Sequence, residues 1–309
     1  MNTILRTART AVVLSALLTV TGVASANNSK ACVEAVLKEQ WTKALTPCKA
    51  AAERGDIAAQ VGLGWIYMNG KGVAQDYAKA ERFYKLAAEQ GLSTAQFNLG
   101  LMYDEGRGVA QDYVQAVRWY TLAAEQGDEE AQNNLGLMYD EGRGVAQDYA
   151  QAVRWYTMAA KQGLAQPQHN LGLMYYDGRG VAQDYAQAVR WWTLAAQQGR
   201  ADAQYNLGLM YDNGQGVAQD YAQAVRWYTM AAEQGLAQPQ HNLGLMYYEG
   251  RGVAQDYTRA HMWFNLAAVS GRSISVKNRD LIAARMTREQ IAKAQQMARD
   301  CAARKYKGC

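Results

Sequence analysis

The amino-acid sequence predicts an all-α fold, an α-solenoid of stacked antiparallel helical hairpins with a cap at each end. Three observations lead there. The string GKGVAQDYAKAERFYKLAAEQG, which begins at Gly70, returns in close copies from Gly106, Gly142, Gly178, Gly214 and Gly250, a period of 36 residues. A fixed period of that length signals stacked supersecondary units, each closing its core on its neighbours. Within every copy the apolar residues recur at helical spacing in two separate stretches. A Gly-x-Gly triplet parts the two stretches and a single Gly ends the second, glycine being the residue that stops helices and accepts positive φ.

The leading element, residues 1–26, reads as a secretory signal peptide. Arg6 and Arg9 precede an apolar run, Ala11 to Val20, and Ala24-Ser25-Ala26 is a small-residue cleavage site. The run is about half of the ~20 residues a membrane span needs. No later segment is apolar enough to span, so the mature chain is expected to begin after Ala26, in the periplasm or outside the cell. Residues 27–55 then form a shortened capping hairpin without a glycine loop. Thr46-Pro47 either opens a helix as N-cap and N1, or places Pro47 inside the second helix of this hairpin.

Six full units follow, at 56–91, 92–127, 128–163, 164–199, 200–235 and 236–271. In the unit 92–127, Leu92 to Asp104 predicts a first helix. Asp112 sits at an N-cap position before a second helix, Tyr113 to Gln126. Ala95, Leu99, Met102 and Tyr103 share one side of the first helix; Ala116, Trp119, Tyr120 and Ala123 share one side of the second. Gly100, Ala116, Ala123 and Ala124 allow close approach, and Val109 plugs the open end of the hairpin. Pro167 and Pro239 fall in the first turn of their helices, where a missing N–H costs little. The repeat stops at Gly271. In the cap 272–309, Thr287 and Gln290 have capping-box spacing and open a final helix over about 288–304.

The four cysteines form two close pairs, Cys32/Cys48 and Cys301/Cys309. Exported proteins meet oxidising conditions, and six stacked repeats keep the pairs apart, so the local pairings Cys32–Cys48 and Cys301–Cys309 are expected. The formal net charge is +4; losing Arg6 and Arg9 leaves about +2, too balanced for a nucleic-acid binder. The charge is uneven, because residues 272–309 hold ten Lys or Arg against Asp280, Glu289 and Asp300. That tail is suited to weak contact with anionic envelope components. Arg118, Arg154, Arg190 and Arg226 lie opposite the core stripe of the second helices and read as a solvated face.

The pattern Ala95, Asn98-Leu99-Gly100, Met102-Tyr103, Gly106, Gly108-Val109, Asp112, Ala116, Trp119-Tyr120, Ala123-Ala124, Gly127 resembles the Sel-one-like repeat, a helical-hairpin relative of the tetratricopeptide repeat. The match spans all six units without insertion; Gly62 and Phe83 are departures in the first. The resemblance implies a right-handed superhelix with a concave groove, and an adaptor role in protein–protein contact, often exported and serving envelope regulation, assembly or host interaction.

In the related tetratricopeptide fold the groove is built by the first helix of each hairpin, on the side opposite its core stripe. Here that side carries a variable row (Val61, Phe97, Asn133, His169, Tyr205, His241) beside a nearly fixed one (Gly62, Asn98, Asn134, Asn170, Asn206, Asn242). An amide both donates and accepts, so an asparagine row suits a peptide backbone, with the variable row supplying selectivity. The competing reading has each Asn bonding a neighbouring hairpin. A protein or peptide partner is therefore expected, with no cofactor, no metal and no catalytic residue. The alternative is an enzyme acting on β-lactams or peptidoglycan, as described for cysteine-rich relatives. Against it, no mature serine (Ser29, Ser93, Ser270, Ser273, Ser275) has Lys three residues on, and the repeats lack internal cysteine pairs. The three His show no metal-ligand spacing.

Overall fold

The computed structural model describes residues 27–309. The expected signal peptide, 1–26, lies outside the described residues. Sixteen helices and no strand occur among the described residues. The chain divides into two compact units at Ala159/Ala160, and each is taken by itself.

The first unit opens with helices α1 (Asn27–Leu37) and α2 (Trp41–Ala52), tied by the Cys32–Cys48 disulfide. Pro47 lies inside α2, which decides between the two readings of Thr46-Pro47. Three hairpins follow: α3 (Ile57–Asn69) with α4 (Tyr77–Glu89), α5 (Ser93–Glu105) with α6 (Tyr113–Glu125), and α7 (Glu129–Glu141) leading to α8 (Tyr149–Lys161), within which the division falls. In this unit α3 packs on α2 and α4, α5 on α4 and α6, and α7 on α6.

Each hairpin closes by the same local chemistry. Gly106 takes φ 68° and caps α5, its N–H donating to the Met102 carbonyl. The Asp112 N–H donates to the Tyr103 carbonyl at 2.9 Å, and its carboxylate accepts from the Val114 and Gln115 N–H groups at the start of α6. An N-cap of this kind is worth about 1 kcal/mol. Two glycines are steric necessities. A Cβ on Gly100 would come within 2.7 Å of the Tyr120 ring; one on Gly108 would come within 2.6 Å of the Tyr77 carbonyl carbon in the preceding hairpin.

The second unit contains α9 (Ala165–Asp177) and α10 (Tyr185–Gln197), α11 (Ala201–Asn213) and α12 (Tyr221–Ala232), α13 (Ala237–Glu249) and α14 (Tyr257–Val269), then α15 (Ser273–Ala283) and α16 (Arg288–Ala303). Pro167 and Pro239 are both in first turns, as expected. Helix α15 was not legible in the sequence. It stacks on α14 at the place a seventh first helix would take: Ile282, fully buried, stands 36 residues after Met246, also fully buried. Helix α16 starts at the expected Thr287–Gln290 capping box. It packs Ala298 and Cys301 on Met262, Trp263 and Leu266 of α14. Met262 and Leu266 are buried, whereas Arg226 and Met230, at the same positions one repeat earlier, are exposed. The arginine is exchanged for methionine where a helix covers it. Cys301–Cys309 and a bond from the Gly308 N–H to Glu233 Oε1 (2.9 Å) fasten the end of the chain.

Candidate functional site

Sequence reasoning placed two rows on an open side of the first helices, and the structure corrects one of them. In the first unit Phe97 and Asn133 are buried; in the second His169 and His241 are buried and Tyr205 is half-buried. Val61 is buried as well. Phe97 and Tyr205 face the interior of their own hairpin, and His169 and His241 face the next first helix. The Phe97 and Tyr120 rings pack with centroids 5.9 Å apart, and Tyr205 packs on Tyr228 in the same way. His169 Nδ1 lies 3.5 Å from Asp202 Oδ1, and His241 Nδ1 lies 2.9 Å from Ser275 Oγ, both on the following first helix. Burial, followed by the Arg272 charge, holds the His241 ring down to about 4, so it is neutral near pH 7, and its tautomer sets which of Nδ1 and the Ser275 hydroxyl donates. Burial lowers His169 to about 4 too, against the pull of Asp202. The reason for the correction is geometric. A helix wheel drawn for one hairpin has one core stripe, but a first helix inside a stack also touches the next hairpin, and these side chains fill that second contact.

The asparagine row behaves differently. Asn98 and Asn134 in the first unit, and Asn170, Asn206 and Asn242 in the second, are all half-exposed. Three residues on, Leu101 and Leu137, then Leu173, Leu209 and Leu245, are half-exposed as well. The amides are partly engaged. Asn98 Nδ2 donates to the Thr94 carbonyl at 2.7 Å, Asn133 Nδ2 to Asn134 Oδ1 at 3.2 Å, and Gln166 Nε2 to Asn170 Oδ1 at 2.9 Å. Asn134 also reaches the Tyr120 hydroxyl, and Asn242 that of Tyr228. Asn170 Nδ2 is shielded from solvent and has no partner. Asn134 and Asn242 thus bond across hairpins, Asn98 and Asn170 bond within their own helix, and half-exposed leucines lie beside the row.

Sequence reasoning missed a glutamine ladder. Gln60, Gln96 and Gln132 in the first unit, and Gln168, Gln204 and Gln240 in the second, are all buried. Each donates Nε2 to a carbonyl near the end of the preceding second helix; Gln96 donates to the Ala88 carbonyl at 3.2 Å and Gln204 to the Ala196 carbonyl at 3.1 Å. Each of four also accepts from a glutamine thirty residues on: Gln90 to Gln60, Gln126 to Gln96, Gln198 to Gln168 and Gln234 to Gln204, at 2.7–2.8 Å. The signal in the sequence was an invariant polar residue inside the core stripe of every copy. The loop arginines also join repeats: Arg143 meets Asp104 at 3.1 Å and Arg251 meets Asp212 at 2.7 Å, besides their neighbours Glu141 and Glu249. Arg118, Arg154, Arg190 and Arg226 are exposed, as expected.

The Ser275–His241 contact has the composition of a nucleophile and its base. Both are buried, Ser275 completely, so no substrate reaches them in this state. Among the described residues no three His, Cys, Asp or Glu side chains gather as metal ligands, and no helix is long and apolar enough to cross a membrane.

Stacked helical hairpins with a half-open face on each first helix define a repeat protein of the binding-scaffold class. The chain belongs to the Sel1 repeat family, whose repeat matches residues 57–92, 93–128, 129–164, 168–199, 201–236 and 240–271, more than half of its length. Sel1 repeats are known as a scaffold for protein–protein contact and are generally not enzymatic. The chain is similar to a Sel1 repeat protein from Oxalobacter formigenes (32% identity, 79% of this chain and 97% of that one, TM-score 0.68). It also matches c5321, a protective antigen of uropathogenic Escherichia coli with this repeat fold (28% identity, 86% and 89% covered, TM-score 0.40). A third match is cysteine rich protein B of Helicobacter pylori (22% identity, 42% and 94% covered, TM-score 0.34). No curated protein sequence matches it significantly.

Proposed function

We propose that this protein is an exported, non-catalytic scaffold that holds a protein or peptide segment against the first helices of its hairpins, in envelope regulation, assembly or host interaction. The observation that carries this reading is the recurring half-exposed Asn–Leu pair, Asn98/Leu101 and Asn134/Leu137 in one unit, Asn170/Leu173, Asn206/Leu209 and Asn242/Leu245 in the other. The amide meets a backbone without selecting side chains, and the leucine takes apolar groups. The buried row (Phe97, Asn133, His169, His241) sets the spacing of the hairpins beneath this surface. The two disulfides, Cys32–Cys48 and Cys301–Cys309, suit an oxidising compartment and support export.

The test is capture of a partner from the native envelope by mature chain 27–309. Asn134→Ala and Asn170→Ala, checked for unchanged helicity, are expected to release a partner that the unaltered chain retains. Equal capture by all three forms would take the asparagine face out of the account. N-terminal sequencing of the protein isolated from its own cell checks the export half, which requires Asn27 as the first residue.

A further inference from the structure

Helix α15 carries a surface that no earlier helix has. By register it is a seventh first helix: Asn278 follows Asn242 by one period, and Leu281 follows Leu245. His241 reaches Ser275 on this helix, as His169 reaches Asp202 on its following first helix, although Ser275 stands one position further along its helix than Asp202 does. The Asn–Leu surface of the second unit therefore continues onto the cap, but its chemistry changes there. Where the repeats have Thr94, Glu130, Gln166, Asp202 and Gln238, the cap has Ile274, which is 43% exposed. Leu281 is 55% exposed, while Leu245 is half-buried. Lys277 is exposed and, at 100° per residue, shares one stripe with Ile274, Asn278 and Leu281; Arg285, also exposed, follows in the turn after the helix, beside its C-terminal end. Neither cation is paired with a carboxylate among the described residues; Arg285 donates to the Tyr248 hydroxyl at 3.0 Å. Asp280 lies off the stripe and is taken by Arg279 at 2.8 Å.

We infer that this stripe is the terminal anchor of the binding surface, and that the segment it receives is an acidic peptide bearing aliphatic side chains. The inference rests on the scaffold reading above and names its partner's chemistry. The two apolar side chains are about 10 Å apart along the helix axis, the reach of three extended residues. Lys277 and Arg285 lie beside them without a carboxylate partner, and the nearby Asp280 is held by Arg279, so a chain alternating aliphatic and acidic residues satisfies both. An anionic membrane is the weaker occupant: lipid-binding stretches gather 4–8 basic residues at about 1 kcal/mol each, and this surface has two.

The experiment selects twelve-residue peptides from a random display library on immobilised mature chain. The expected pool is enriched in Asp or Glu together with Leu, Ile or Val. The double charge reversal Lys277→Glu with Arg285→Glu, both at exposed positions and checked by circular dichroism, should weaken the best selected peptide roughly tenfold and, when itself selected upon, should favour Lys and Arg. A pool without acidic preference, or one the double variant binds equally well, overturns the anchor and leaves the scaffold reading standing. Failure of the unaltered chain to enrich any peptide overturns both. Vesicles of anionic phospholipid that sediment the unaltered chain but not the double variant, with peptide affinity unchanged, would assign the stripe to a membrane instead.

Discussion

At the scale of single residues, the stack is held by polar side chains as much as by apolar ones. Gln96 is 4% exposed, donates to the Ala88 carbonyl of the preceding hairpin and accepts from Gln126 at the end of its own, so one amide ties both helices of its hairpin to the hairpin before. Removing a buried partner leaves the others unsatisfied, which costs about 1–3 kcal/mol per group. Gln96→Ala is therefore expected to lower the unfolding free energy by roughly 2 kcal/mol, read from urea denaturation. A loss below about 0.5 kcal/mol, the range of ordinary surface changes, would mean the ladder is incidental. The same residues show why the site was only half legible in the sequence. His169, His241 and Asn133 look like ligand-binding side chains when one hairpin is considered alone. Their partners, Asp202 and Ser275 for the two histidines, lie one repeat away, and no pattern within a single copy reveals which polar side chains that second contact will cover.

At the scale of elements, the first and last described hairpins differ from the repeats in carrying a disulfide each. In the N-terminal hairpin Cys32–Cys48 closes a loop of sequence separation 16. Such a closure contributes about 3 kcal/mol by the chain-entropy account. Cys32→Ser with Cys48→Ser should speed amide exchange in α1 and α2 while leaving α5 and α6 protected; uniform loss of protection would contradict a local role. At the other end, His241 and Ser275 join α13 to α15. The His241 pKa falls from 6.5 to about 4 on folding, so the unfolded chain takes up the proton first. Stability contributed here is complete above about pH 6.5 and declines as pH falls toward 4. His241→Gln keeps a group that can both donate to and accept from Ser275 and removes that titration, so its thermal midpoint should fall less over this interval. Legibility was uneven among elements too. The repeat helices, the Asp112 cap and the Thr287 capping box followed from spacing. Helix α15 did not, because it keeps the register of a first helix at Asn278, Leu281 and Ile282 but has lost the glycines and alanines that mark one.

At the scale of the whole molecule, most of the sequence is devoted to repeating one hairpin, and the sameness of the copies is explained by packing. Tyr120 on Gly100, Gly108 against Tyr77 and the glutamine ladder each recur because every junction must close the same way. The surface we propose for function is the Asn–Leu pairs of the first helices in each unit, with Ile274 and Leu281 at the end of the second. The exposed arginines of the second helices form the opposing candidate, and α16 shows what covering them entails, since Arg gives way to Met262 there. The direct test is site-specific photo-crosslinking in the native cell, with a photoreactive residue at Leu137 or Leu209 on first helices and at Arg118 or Arg226 on second helices. The scaffold account predicts a protein adduct from Leu137 and Leu209 and none from the arginine positions. Adducts from Arg118 and Arg226 alone would contradict it.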